Sequence, residues 1–377
     1  MHSKTLCLLL LFFPTTCFAQ RRTPLDVRPE TEEFKQAVEN LRGVMKEMQE
    51  VAVRFNTGER EEGDKWRAAW NEIYPRADKA FYEMLLAAAK EFAEAPAQKA
   101  STANWLFRIC SEEVEADRFE GILPVLEILV KDRPEFNEAQ RLLGITCFAL
   151  AEYERGKESI DFLAKQLETP EQMAFIRDNL DDLIAQRERE YAKRKKDADP
   201  NNPVPRVLIR TTKGDIEVEL FENEAPETVG NFISLVESGE YDHKPFGTGM
   251  KHFLVQGGGD DFGEPPYTIV SERSKPEARD FYRGTLGMAL SGVPPKANSA
   301  YAQFFFALMP NPELNKNYTA FGRVVKGLEV MSALTKIDPT KEKKEDEVKE
   351  EPDEIIEMTI LRKRDHEYKP NKAKSLE

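Results

Sequence analysis

The hydrophobic period of this chain changes once, and the change sits at the Pro/Asn-rich run from Asp197 to Pro205. Before it, apolar residues recur in steps of three and four. After it, they alternate in steps of two. A chain that passes from a helical period to a period of two cannot bury both parts in one kind of layer, so it must build a helical part and a β-rich part. Its 377 residues also exceed what one core of ordinary size holds and suit two or three domains.

In the helical part, read as residues 28–195, Phe34, Val38, Leu41, Met45, Met48, Ala52 and Phe55 form one stripe of a helix that Asn56, Thr57 and Gly58 end. A second helix is expected from about Glu62 to Glu94, with Trp66, Trp70, Ile73, Ala77, Phe81 and Leu85 on its buried side. Pro75 predicts a kink or a break in it. A weak repeat follows at 102–168. Phe119 and Tyr153 stand in register, Leu126 and Leu129 match Ile160 and Leu163, and Trp105 and Ile109 match Ala139 and Leu143. The offset of 34 residues, with Leu143, Gly144, Phe148 and Tyr153, resembles tetratricopeptide helical hairpins, whose concave side takes a peptide or a partner protein. A plain helical bundle with a chance spacing is the alternative. Glu171 to Lys196 reads as a last, strongly charged helix with a solvated polar ridge, and 196–205 as the linker. Asp197, Asp199 and Asn201 imitate the start of a calcium loop. The required glycine is missing and Leu208 stands where a bidentate glutamate belongs, which excludes calcium.

At the start of the chain, Lys4, the apolar run Leu6 to Phe13 and the small residues Cys17 and Ala19 before Gln20 read as an export signal over residues 1–19. The expectation is an exported protein, periplasmic or secreted, with no membrane insertion after cleavage, since no later run approaches the roughly 20 apolar residues a span needs. The formal charge of −14 becomes −15 when Lys4 leaves, which disfavours nucleic acid and anionic lipid and points to protein partners. Cys110 and Cys147 remain, both on expected helices. They either pair in an oxidising compartment or serve as small apolar fillers.

In the β-rich part, read as residues 206–363, Val207 to Thr212 and Ile216 to Leu220 flank Lys213, Gly214 and Asp215, a hairpin signal. Thr228 to Ser238 is a short amphipathic helix. The mixed charge run 339–354 reads as a flexible loop, Ile355 to Leu361 as a closing strand, and 364–377 as a tail that frays from about Asp365.

Five blocks in this part, in order, carry a family resemblance. They are Thr212 to Phe232, which contains Ala225, Pro226, Thr228, Asn231 and Phe232; Phe253 to Gly258; Arg283 to Ala289; Gln303 to Phe306; and Thr319 to Gly327. The segment resembles the cyclophilin family of peptidyl-prolyl isomerases. The resemblance implies a closed antiparallel eight-stranded β-barrel capped by two helices, with a proline-binding groove on one face. It also implies isomerisation of X-Pro bonds, with proline-containing peptides or unfolded protein clients as partners.

That reaction needs no cofactor, metal or nucleophile. The peptide C–N barrier of about 20 kcal/mol comes from resonance, so stabilising the twisted amide is enough. The resemblance assigns the proline pocket to Phe253, Leu254 and Phe305, with Leu314 on its rim and Tyr318 where many members have histidine. It assigns Gln256 to the substrate carbonyl. Read back from Gln256 without a gap, the family's Phe-His-Arg becomes Phe246, Gly247 and Thr248, so the position of the catalytic arginine carries Thr248. Pro-Gly becomes Lys251 and His252, the asparagine after Met-Ala becomes Leu290, and a groove tryptophan of some members becomes Glu313. Two functions follow from this. One is a slow isomerase, with Lys251 or Lys244 as a substitute cation; the other is a proline-peptide binding or scaffold module coupled to a helical interaction region. Gly257, Gly258 and Gly259 lack a following Lys-Ser/Thr and form no phosphate loop, and His243 and His252 are too few for a metal site.

Overall fold

The computed structural model describes residues 27–57, 63–166, 178–259, 265–292, 295–341 and 350–373. The expected export signal and the middle of the charged loop lie outside them. Helices come first. α1 (Glu32–Thr57) pairs along its length with α2 (Gly63–Glu94), and α3 (Ala100–Glu115), α4 (Leu123–Asp132), α5 (Asn137–Ala149) and α6 (Tyr153–Gln166) follow as two hairpins. Phe34, Val38 and Met48 of the expected stripe are buried against Trp70, Ile73, Ala77, Phe81 and Leu85. Pro75 does not break α2, which runs on through it as one helix. Cys110 and Cys147 are unpaired and buried, and burial pushes both thiols well up. They are fillers: a Cβ on Gly156 would lie 2.3 Å from the Cβ of Cys147, so α5 and α6 touch closely there.

The last helix before the sheet, α7 (Leu180–Asp197), is not the solvated ridge its charges suggest. Arg187, Glu190 and Asp197 are buried. Arg279, which has no exposed side-chain surface, reaches Asp197 at 2.6 Å, Glu190 at 3.1 Å and Glu224 at 3.3 Å, and its guanidinium lies 4.0 Å from the Phe221 ring centre. Tyr282 enters a cluster of Ala151, Tyr153, Ile160, Leu180 and Leu183. The helical region therefore folds back on the sheet. The linker is packed too: Val204 is buried and its carbonyl accepts both Nε and Nη2 of Arg362.

The strands are β1 (Arg206–Thr211), β2 (Gly214–Leu220), β3 (Thr248–Met250), β4 (Leu254–Gly257), β5 (Thr285–Met288), β6 (Phe304–Ala307), β7 (Ala320–Lys326) and β8 (Ile355–Arg362), with helices α8 (Pro226–Glu237) and α9 (Leu328–Ala333). They form one antiparallel sheet in the order β3-β4-β6-β5-β7-β2-β1-β8. This is an open half-barrel and not the closed barrel expected. Among the described residues β3 and β8 share no ladder. The N–H of Gly249 in β3 goes to the carbonyl of Ile337, and the two edges meet outside any ladder: Pro245 bridges Glu354, His243 and Phe246 donate their N–H groups to the carbonyls of Ile355 and Asp353, and the Ile355 N–H goes to the carbonyl of Lys244.

The Ala-Pro-x-Thr-x-x-Asn pattern has a local cause. Pro226 opens α8, and the carboxylate of Glu272 caps that end, accepting the N–H of Glu227 and both the N–H and hydroxyl of Thr228. Asn231 donates to the carbonyl of Tyr301. The C-terminal segment does not fray from Asp365: Tyr368 is buried with its hydroxyl on Glu222, and Lys372 bridges to Ile269.

Candidate functional site

In an antiparallel sheet, residues directly opposite one another point to the same face. Thr248 pairs with Gln256, Gln256 with Phe305, Phe305 with Gly287, and Gly287 with Ala320. One row across five strands thus carries Thr248, Gln256 and Phe305 on one face. The next row on that face holds Met250, Leu254 and Ala307. Alternate residues Val255, Phe304, Phe306, Leu286 and Phe321 fill the inside of the half-barrel. The triplet Phe304, Phe305 and Phe306 accordingly sends its outer members to the core and its middle member to the groove.

On the groove face Leu254, Phe281, Phe305, Ala307, Leu314 and Ala320 form one apolar cluster, with Phe253 and Tyr318 packed on it. Every residue that sequence reasoning assigned to the proline pocket is in this cluster. Phe305 is only 2% exposed, while Phe253, Gln256, Thr248 and Tyr318 are half-buried. The Tyr318 ring stands edge-on to Phe305 at 5.4 Å. Burial pushes the Tyr318 phenol up, and the charge of Arg273 opposes that shift. Arg273 itself donates to the carbonyl of Asn317 at 2.6 Å. The side-chain amide of Gln256 bonds no protein group among the described residues, which leaves its donors for a ligand carbonyl.

Phe281 was missed by sequence reasoning. It stacks under Phe305 at 5.5 Å and 18°, and its N–H and carbonyl bond Asn315 and Asn311 on either side of Leu314. Nothing in the Asp280-Phe281-Tyr282 stretch signals this, because the contact depends on Gly287, where a Cβ would lie 2.2 Å from Phe305 and 2.6 Å from Phe281.

The departures from the family pattern are also placed. Thr248 faces Gln256 across the ladder, so no guanidinium stands there. Lys251 is exposed at the β3–β4 turn and pairs with Glu115 of α3 at 3.3 Å, and His252 bonds Asp117 beyond the end of α3. Leu290 packs against the half-barrel core, and Glu313 is exposed.

The comparisons with known proteins define the class first. Residues 206–360 match the model of the family described as cyclophilin type peptidyl-prolyl cis-trans isomerase/CLD. Peptidyl-prolyl cis-trans isomerase CYP18-1 of Arabidopsis thaliana is 38% identical over 135 residues, 34% of this chain and 82% of that protein. Peptidyl-prolyl cis-trans isomerase cypE of Dictyostelium discoideum is 36% identical over 149 residues, 38% of this chain and 92% of that one. A crystal structure of a cyclophilin type peptidyl-prolyl cis-trans isomerase from Cryptosporidium parvum aligns with a TM-score of 0.36 and 28% identity, covering 43% of this chain and 99% of that one. The chain belongs to the cyclophilin-type peptidyl-prolyl cis-trans isomerase family. These three matches cover less than half of it.

Proposed function

We propose that the chain isomerises X-Pro bonds during the folding of exported proteins, with catalysis weakened by the threonine at position 248. The observation that carries this reading is the direct cross-strand pairing of Gln256 and Phe305 on the face that holds Leu254, Leu314 and Tyr318. A proline ring would sit on Phe305 between Leu254 and Leu314, and the Gln256 amide would donate to the carbonyl before it. Fixing the ring and the carbonyl on opposite sides of the C–N bond favours the twisted geometry. The remaining contribution, a cation at the prolyl nitrogen, does not come from position 248. Thr248 offers a short neutral hydroxyl, and Lys251 is drawn to the helical region by Glu115. Losing one preorganised donor costs on the order of a hundredfold.

Export is supported by Lys4, the apolar run Leu6 to Phe13 and Ala19 before Gln20. A protein-binding role for the helical hairpins is supported by their succession from α3 to α6 and by the 34-residue offset. One observation favours the alternative, a non-catalytic proline-peptide binding or scaffold module: the residue opposite Gln256 is Thr248 and not an arginine, which binding alone does not require.

Exchange NMR on X-Pro peptides with the full chain separates the two. An isomerase predicts line exchange faster than in free peptide, reduced about a hundredfold in Gln256→Ala and abolished in Phe305→Ala. Peptide binding without any faster exchange would establish the binding module instead.

A further inference from the structure

We propose that Asp117, on the turn between α3 and α4, is a positioning residue for the proline groove, so that the helical region forms part of the site machinery. The proposal rests on the isomerase or binding role of the groove. Asp117 is fully buried and its Oδ1 accepts the backbone N–H of His252 and meets His252 Nδ1, each at 2.9 Å. His252 is the turn residue directly before Phe253. The turn it fixes joins β3, which carries Thr248, to β4, which carries Leu254 and Gln256.

The contact belongs to a closed ring of hydrogen bonds. The Phe253 carbonyl accepts the N–H of Leu308, the residue after β6. The Leu308 carbonyl accepts Arg283 Nη1 at 3.0 Å, and Arg283 Nη2 donates to Ser332 Oγ at 2.8 Å. The Ser332 hydroxyl then donates to the carbonyl of Asp117 at 2.7 Å. Glu120 of the same turn pairs with Arg283 at 2.6 Å, and the Arg283 guanidinium lies 5.0 Å from the Phe119 ring centre. One short segment of the helical region therefore sets both strands that hold Gln256 and Phe305.

A role in holding the two regions together explains this less well. The Arg279 cluster and the Tyr282 insertion already join them through α7. The turn is, moreover, built at a cost. Asp117 and His252 both adopt left-handed backbone, φ 57° and 58°, and Asp117 Oδ2 is buried with no hydrogen-bond partner among the described residues. A buried carboxylate with one idle oxygen is a poor way to stabilise a seam. It is a direct way to fix a turn whose own two-residue sequence, Lys251 and His252, lacks the family's Pro-Gly.

The test uses the full chain as wild type, Asp117→Ala, Asp117→Asn and His252→Gly. The side-chain amide signals of Gln256 are followed by NMR, together with affinity for a proline peptide, X-Pro exchange at saturating peptide, and Tm. Asp117→Ala is expected to move the Gln256 signals and lower saturated exchange about tenfold, the scale of one buried hydrogen-bond partner lost. Asp117→Asn, which keeps an acceptor for the His252 N–H, should restore both. His252→Gly suits the left-handed backbone and removes the ring. It should move the Gln256 signals less than Asp117→Ala, and it decides the matter should Asp117→Ala not fold. Unmoved Gln256 signals in both Asp117→Ala and His252→Gly, or no rescue by asparagine, would overturn the proposal. Absence of exchange in wild type with Gln256 signals still shifted by Asp117→Ala would sink the isomerase reading and leave the positioning role standing.

Discussion

The two ends of the groove row differ in what they hold up. Phe305 lies on a central strand, backed by Phe281, flanked by core residues Phe304 and Phe306, and opposite a glycine that nothing larger can replace without a clash. Thr248 lies on the three-residue edge strand β3, half-buried and outside both apolar clusters of the sheet. The pocket end is thus part of the framework, and changes there carry a structural cost. Position 248, on a short edge strand, holds less of the framework, so substitution there should cost little stability. On the proposed function, such a site would keep its binding half for structural reasons while its catalytic half changes.

The largest stability effect should arise away from this row. Arg279→Met strips buried Asp197 of its cation, leaves Glu190 to Arg194 alone and takes the guanidinium from half-buried Glu224, and should destabilise the full chain by about 3–5 kcal/mol in urea unfolding. X-Pro exchange in the folded variant should be unchanged; a parallel fall would join the seam to the groove and blur the comparison. Gly287→Ala sharpens it from the pocket side. A methyl within 2.2 Å of Phe305 forces Phe305 and Phe281 apart, so stability should drop by about 1–3 kcal/mol and peptide affinity with it, measured by unfolding and titration.

The smallest effect is pH-dependent and touches neither end. His366 is raised above 6.5, chiefly by its hydrogen bond to Glu222 and also by the Glu367 carbonyl. A base whose folded pKa is raised stabilises the fold fully below its unfolded pKa, and that contribution fades as pH climbs through the folded value. Protection of the amides around Tyr368, taken relative to their intrinsic exchange rates, should therefore fall from about pH 6.5 upward, while groove signals stay fixed. Half of the His366 side chain is exposed, so solvent keeps the effect small.

Much of this was legible in the sequence. Alternation after Pro205 located β1, β2 and β8, and counting back from Gln256 put Thr248 at the arginine position; that the two residues stand opposite one another across β3 and β4 came from the structure. The pocket residues Phe253, Leu254, Phe305, Leu314 and Tyr318 do converge. What stayed hidden depends on charged or polar partners far apart in the chain. Arg279 and Asp197 are 82 residues apart, His252 and Asp117 135 apart, and a periodic pattern cannot say that a charged helix face will meet an opposite charge instead of water. The open edge was hidden as well, because the expectation of closure carried no information on what the free side of β3 would meet. It meets Ile337.

The central claim is that the groove is a proline site complete except for its cation. Thr248→Arg in the full chain tests it directly, with X-Pro exchange measured by NMR on one peptide before and after substitution. The account predicts a gain of at least about tenfold in exchange with peptide affinity little changed, and loss of that gain when Gln256→Ala is added. An unchanged or lower rate with the peptide still bound would contradict it, because the missing arginine would then not be what limits this site.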